Sequence, residues 1–525
     1  MSNRLPQAPR FQRLLQDSLL GAAYSSADRL ALITHKGGLT YRQLFLHVQQ
    51  FASVLLSLGL QRGDRVIIYA DNSPEAVIAL WGTLWAGGIF VLVNPQTKAD
   101  KLKYLVDKSS AKVLVSDEHL KTEFQDILPE CKSLAAVLCS NLSVRPEHAH
   151  RQLHIKSFWD EINAAQPLVA GAPGIPLDVA AIIFTSGSTG FPKGVTMTHQ
   201  AMVFARDSII EYLRLGPAEK ILNVLPLAFD YGLYQLLMAT ALGCTLILER
   251  SFAYPGAVYA KILKENITVF PGVPTVFSTL LSMHKTAPLC FPSVLRVTNT
   301  AAALPPDYVP LLKQVFPNAL IFAMYGLTEC KRVSFLAPEF LETKPGSVGK
   351  AIPGTEMFLL SPDGGAVGPK QAGILHIRGP HIMSGYWEDP EQTAKMLKPG
   401  PVPGERVLCA QDWFVMDEEG FFYFQGRSDD IIKTRGEKVS PVEVENVLHS
   451  LAGVKEAAVI GIPDENLGQA IKAFVVLEQG NSLTPSAIKR HCAERLESFM
   501  VPQIVELVET LAKTANGKIK KDGLR

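Results

Sequence analysis

The sequence predicts an α/β protein with a large N-terminal domain of layered sheets and helices, a β-rich subdomain beside it, and a small mobile α+β C-terminal domain. Three observations carry that expectation. Between residues 66 and 322, short β-branched runs alternate with longer helical patterns, which favours layered and largely parallel sheets. Beyond about residue 340 the strand-like pieces crowd together, separated by Gly-rich turns. Finally, 525 residues that are 47% hydrophobic and 19% charged exceed one core, since single cores stop growing at roughly 250–300 residues.

Strands are expected at residues 66–69, 113–115, 181–184, 245–248, 269–270 and 320–322, with helices at 200–215, 254–265 and 307–316. Residues 76–93 are apolar for long enough to raise the membrane question. Gly87 and Gly88 divide the run into a helix (75–86) and a strand (89–93), so it reads as a buried helix-turn-strand without membrane insertion. Strand-like pieces at 354–360, 373–378 and 420–424 form the β-rich subdomain, about 340–428. Small and charged residues at Gly426-Arg427-Ser428-Asp429 mark a boundary. The large domain is therefore placed at 1–428 and the C-terminal domain at 429–525. Within the latter, helices are expected at 443–448 and 485–496, strands at 457–462 and 473–477, and a polar tail at 513–521.

A formal charge of +1 gives no support to nucleic acid or an anionic membrane as the main partner. Seven scattered cysteines form no CxxC or Cys/His cluster, as expected of thiols in a reducing compartment. The first residues lack an apolar stretch of signal-peptide length. A cytoplasmic location is expected.

The most informative segment is Phe184-Thr185-Ser186-Gly187-Ser188-Thr189-Gly190-Phe191-Pro192-Lys193-Gly194, directly after an expected strand. Its glycines let backbone N–H groups approach an anion, its hydroxyls add donors, and Lys193 supplies a point charge. It is not a Walker A loop, because GxxxxGK[ST] is absent. A plain Ser/Gly surface turn would account for the glycines but not for the lysine behind Pro192.

Further motifs follow in order: Pro226-Leu227-Ala228-Phe229-Asp230-Tyr231-Gly232, Tyr325-Gly326-Leu327-Thr328-Glu329, Asp412, Gly426-Arg427-Ser428-Asp429, Lys433-Thr434-Arg435-Gly436 and Asn516-Gly517-Lys518. With these motifs the chain resembles the adenylate-forming superfamily of acyl-CoA synthetases, adenylation domains and firefly luciferase, over nearly its whole length. The resemblance implies a Mg2+- and ATP-dependent ligase. A carboxylate attacks the α-phosphorus of ATP, so mutually repelling anions must be brought together by positive charge and a divalent ion.

Thr185, Ser186, Gly187, Ser188, Thr189, Gly190 and Lys193 then hold the β/γ-phosphates, Glu329 suits Mg2+ as a hard oxygen ligand, and Thr328 meets a phosphate oxygen. By the same resemblance Tyr325, with Gly326 and Ala301, lies along adenine, Asp412 accepts from the ribose hydroxyls, and Arg427 touches the same nucleotide. Lys518 bridges the substrate carboxylate and the α-phosphate. Asp429 is the hinge about which the C-terminal domain swings, withdrawing Lys518 and presenting the Lys433–Gly436 loop to a thiol. On their residues alone, Glu329 is equally a helix N-terminal carboxylate, Asp412 a turn cap and Lys518 a solvated tail lysine.

The acyl pocket is expected at Phe229, Asp230, Arg332 and Val333. Many acyl-CoA synthetases carry histidine where Phe229 stands, whereas amino-acid-activating relatives place an aspartate at the Asp230 step. An aspartate facing an uncharged chain would be a costly buried charge, which a substrate ammonium relieves. The alternative is an Asp230 satisfied by a backbone N–H or a protein cation. Arg332 either clamps a second carboxylate bidentately or is itself the partner of Asp230.

The resemblance is imperfect at three points. Gln411 replaces the usual Gly before Asp412, Thr300-Ala301 replace a Ser-Gly pair, and Gly373-Ile374-Leu375 replace a GEL opening. The reading favoured by the residues is adenylation of an α- or β-amino acid and transfer to a carrier-protein phosphopantetheine thiol. The alternatives are an acyl-CoA synthetase for an aliphatic or aromatic acid with CoA as acceptor, and a non-catalytic nucleotide- or carrier-binding relative.

Overall fold

The structure is a computed structural model and describes residues 12–142, 154–185, 191–300, 304, 308–427, 432–439, 441–512, 521 and 524. Two large sheets and a five-stranded one form the body, and a further five-stranded sheet belongs to the C-terminal domain. The α/β expectation is met.

One large sheet has eight strands in the order Gly385–Tyr386, Lys193–Thr198, Val179–Thr185, Ile89–Val93, Arg65–Tyr69, Val113–Asp117, Ala136–Ser140 and His154–Ser157. Its strands run parallel except at the end where Lys193–Thr198 and Gly385–Tyr386 attach antiparallel. The other has nine, with six parallel strands that include Leu30–Thr34 forming its centre and antiparallel strands closing both edges. Helices cover the strands because parallel sheets must bury both faces.

The apolar segment past residue 74 shows how local chemistry sets an element. Ser73 accepts from the Ala76 amide, Pro74 opens the helix Pro74–Trp85, and the chain turns through Gly87 at φ +79° into the strand Ile89–Val93. Every residue of that helix is buried. No described helix is long and apolar enough to cross a membrane.

The β-rich sheet is antiparallel. Ala372–Arg378 lies between Glu356–Leu360 and Arg406–Met416, and the last of these also pairs with Leu397–Pro399 and Phe422–Arg427. The C-terminal sheet joins Val454–Asp464 and Gly468–Leu477 in one long hairpin, packed by the helices Pro441–His449 and Pro485–Arg495 around a core of its own.

Expected strands at 245–248 and 89–93 match in bounds, while others extend by a few residues, as with Leu320–Tyr325. The residues after the Ser/Gly loop were not expected as a strand. Lys193–Thr198 is one because its Val and Thr side chains alternate against Val179–Thr185.

Candidate active site

The site lies where the parallel strands of the nine-stranded sheet end, the usual place for a ligand in open α/β sheets. Gly272, Asn299 and Ala323 stand in register across three neighbouring strands, so Thr300 and Tyr325 emerge side by side just beyond. The Ser/Gly loop enters from the other large sheet. Its two ends, Thr185 and Lys193, face each other in register. Ser186, Gly187, Ser188, Thr189 and Gly190 lie outside the described residues, as do Ala301, Asp429 and Lys518.

Lys193 and Glu329 are joined by a side chain that sequence reading missed. Tyr386 donates its hydroxyl to Glu329 Oε1 at 2.7 Å, and the Lys193 ammonium stands 5.5 Å from the centre of the Tyr386 ring. Lys193 also donates to Gln392 Oε1 at 3.0 Å. The two-residue strand Gly385–Tyr386 makes this possible, because it pairs with the strand that begins at Lys193. The Met383 amide donates to the Glu329 carbonyl at 2.7 Å, fixing the backbone of the glutamate.

Tyr325 donates its hydroxyl to Asp412 Oδ2 at 2.5 Å. Gln411, just before Asp412, holds φ +57°, a left-handed conformation that glycine adopts at no steric cost. Arg427 pairs in register with Asp412, which brings its backbone to the same place.

After Tyr325 the chain folds back on itself. The amides of Cys330 and Lys331 both donate to the Leu327 carbonyl, Lys331 takes φ +66°, and the Val333 amide returns to the Tyr325 carbonyl. A Cβ on Gly326 would lie 2.2 Å from the Lys331 carbonyl oxygen, so only glycine allows this turn. The turn aims Lys331 and Arg332 into a chamber of about 150 Å3, whose walls include Thr185, Phe229, Asp230, Thr300, Thr328, Gly436 and Met500.

This corrects the expected pocket. The residues two and three beyond Glu329 line the chamber, whereas Val333 is wholly buried in the core.

Asp230, 16% exposed, begins the helix Asp230–Leu242, where the helix dipole favours a carboxylate. Its cationic partner is Lys331, 2% exposed, with Nζ 3.9 Å from Oδ2. Arg332 is not that partner. It donates from Nη1 to Thr300 Oγ1 at 2.6 Å and its guanidinium stands 5.5 Å from the Tyr231 ring centre. The argument for a substrate ammonium opposite Asp230 thereby loses its premise, since the protein supplies the countercharge.

The C-terminal domain forms the remaining wall. Gly436, at φ +80°, packs so closely on Val273 that a Cβ would lie 3.0 Å from the Val273 Cβ. Lys433 stands 4.3 Å from the Phe424 ring centre in the β-rich subdomain. Lys101, on the helix Ala99–Ser109, binds two carboxylates of the small domain, Glu443 at 2.9 Å and Glu497 at 3.0 Å. Burial alone would lower the Lys101 ammonium, but Glu497 and Glu443 more than reverse this and raise it above the ordinary lysine range. Glu437 also lines the chamber, and burial, followed by the neighbouring charges of Glu497 and Asp230, pushes its carboxyl up to about 7. All seven cysteines are free, and no described cluster of His, Cys, Asp and Glu gathers three ligands for a metal.

Phosphate-loop ends, a strand-end Tyr–Asp pair and a chamber shared by two domains define an adenylate-forming ligase. The chain belongs to the AMP-binding enzyme family, whose description matches residues 21–387, with the AMP-binding enzyme C-terminal domain matching 443–518. It is 31% identical to a long-chain-fatty-acid–CoA ligase of Bacillus subtilis (strain 168), over 98% of this chain and 95% of that one. It is 30% identical to a feruloyl-CoA synthase of Amycolatopsis, over 94% and 95%.

Among solved structures, o-succinylbenzoate CoA synthetase (MenE) from Bacillus subtilis is 25% identical, with 97% of this chain and 98% of that one covered. A double mutant of it bound with its product analogue OSB-NCoA superposes with a TM-score of 0.84, and its complex with AMP with 0.69. The protein is an AMP-forming acid–thiol ligase whose relatives join carboxylic acids to CoA. Enzymes of this kind use ATP.

Proposed function

We propose that the protein converts a carboxylic acid without an α-ammonium group into its CoA thioester, through an acyl-adenylate. In the first step a carboxylate oxygen bonds to the α-phosphorus of ATP and pyrophosphate leaves. In the second, the CoA sulfur bonds to the acyl carbon and AMP leaves. The observation that carries this reading is the Lys331–Asp230 pair, which fills the role a substrate ammonium would have had. Similarity to CoA ligases supports CoA over a carrier protein as the acceptor.

Lys193, Thr185 and Thr328 provide a cation and hydroxyl donors suited to phosphate oxygens, together with the loop 186–190. Glu329, oriented by Tyr386, offers hard carboxylate oxygens suited to Mg2+ beside them. That ion, when bound, offsets negative charge on the phosphates. Tyr325 and Asp412 hold the nucleoside, and Arg427 accompanies them. Lys518 serves the first step. Lys433 and Gly436, brought in by rotation at Asp429, serve the second, and the close seating of Gly436 on Val273 together with the higher likeness to the product-analogue complex supports the present arrangement as the second-step one.

Pyrophosphate release measured over paired panels of amino acids and ammonium-free acids tests the reading. The expected result is turnover of ammonium-free acids and a thioester with CoA. Turnover confined to amino acids, with transfer only to a carrier-protein arm, would restore the amino acid reading.

A further inference from the structure

The acyl chamber carries more positive than negative charge from the large domain. Lys101, Lys331 and Arg332 line it from that domain against Asp230, while Glu437 and Glu497 line it from the small domain, where Glu497 is paired with Lys101. Asp230 is committed to Lys331. No carboxylate among the described residues comes within 4.0 Å of Arg332, although that side chain is only 5% exposed. Its Nε–H also has no hydrogen-bond acceptor among the described residues.

An arginine so placed is held ready rather than satisfied. Thr300 receives one arm of the fork at 2.6 Å, and the Tyr231 ring lies beside the guanidinium, itself fixed by a hydroxyl donated to the Thr298 carbonyl at 2.8 Å. Preorganisation of this kind lowers the entropy lost when a planar anion docks. An alkyl chain in the same place would leave the buried cation without a countercharge, which is strongly unfavourable.

We propose that the substrate is a compact dicarboxylic acid, one of whose carboxylates reacts while the other is received by the Arg332 guanidinium. The proposal rests on the acid–CoA ligase reading above and names the acid class for that site. The second carboxylate gives the Arg332 guanidinium the countercharge that no described carboxylate supplies within 4.0 Å. Lys331 has a separate part, keeping Asp230 neutralised so that it does not repel the incoming anion.

The test compares succinate, glutarate and adipate with butyrate, valerate and hexanoate, using the full chain with ATP, Mg2+ and CoA and reading both pyrophosphate and thioester. The wild-type enzyme is expected to favour at least one diacid over its monoacid counterpart by roughly 30-fold or more in kcat/KM, the scale of a buried charge-assisted contact. In Arg332→Gln that diacid-to-monoacid ratio should fall by a similar factor, chiefly through KM, and Arg332→Lys should recover only part of it. The wild-type panel needs no variant to fold, and thermal unfolding of each variant separates misfolding from lost recognition.

Monoacids turned over as well as diacids by the wild type would overturn the proposal while leaving the ligase reading intact. So would an Arg332→Gln protein that folds and keeps the wild-type ratio. Absence of pyrophosphate release with every acid tried would instead overturn the ligase reading itself, and the proposal with it.

Discussion

Lys331 and Asp230 form an ion pair across the acyl chamber, 3.9 Å between charged atoms, one from a left-handed turn and the other from a helix N-terminus. The pair makes the chamber wall electrically self-sufficient where an amino group would otherwise be required. Breaking it from one side leaves a buried charge. Asp230→Asn should therefore lower unfolding stability by about 3 kcal/mol, while Asp230→Asn combined with Lys331→Met should regain most of that loss. Equilibrium denaturation of the three proteins decides the matter; additive losses would show that the two groups are not coupled.

Glu329 and Tyr386 give a second expectation. Replacing Glu329 by Gln removes the anionic oxygens proposed for the metal and should slow pyrophosphate release by roughly 100-fold or more. Tyr386→Phe removes one hydrogen bond that orients the carboxylate, for a loss of about tenfold. A steady-state assay at varied Mg2+ should show Tyr386→Phe partly rescued by higher metal, and no dependence on metal would argue against the orienting role.

Gly436 and Lys518 should separate the two half-reactions. Gly436→Val adds a side chain where 3.0 Å separates a Cβ from Val273, at a backbone angle of φ +80°. It should slow thioester formation from supplied adenylate roughly tenfold more than it slows pyrophosphate release. Lys518→Ala should do the reverse. Equal losses in both steps for either variant would contradict the proposed rotation.

Domain docking should respond to pH through Glu437. Its carboxyl is raised to about 7 by burial and by Glu497 and Asp230, with Lys101 opposing. A raised carboxyl means that the docked form binds a proton which the open form, with an ordinary carboxyl, releases. Docking is thus favoured below about pH 7 and weakens as pH rises through that value. Protection of residues 432–439 from hydrogen exchange, taken relative to the intrinsic rate at each pH, should fall between about pH 6 and pH 8 in the wild type but much less in Glu437→Gln. Lys101→Ala should loosen docking at both pH values, since it leaves Glu443 and Glu497 facing each other without their shared cation.

What the sequence disclosed, and what it hid, follows from distance along the chain. The alternation of strands and helices and the order of the motifs were legible because each is local. Lys193, Tyr325, Glu329 and Asp412 were singled out by their neighbours in sequence, and the structure links Lys193 to Glu329 through Tyr386 and Tyr325 to Asp412. Tyr386 was not, because it reaches Lys193 through a two-residue strand almost two hundred positions away. Lys331 escaped for a different reason. The expected pocket took Arg332 and Val333 from the resemblance, and nothing local in the sequence marks the residue before them, which the turn at Lys331 brings to the chamber wall. Likewise the clasp of Lys101 by Glu443 and Glu497 joins residues with no local pattern in common.

A mixed anhydride is easily lost to water, and the chamber is walled on one side by Gly436, Glu437, Phe499 and Met500 of the smaller lobe. While that lobe is seated, these residues cover one side of the chamber from bulk solvent. Seating therefore serves as a shield as well as a delivery step, and an enzyme whose lobe seats poorly would waste nucleotide through futile hydrolysis before it lost the capacity to make product.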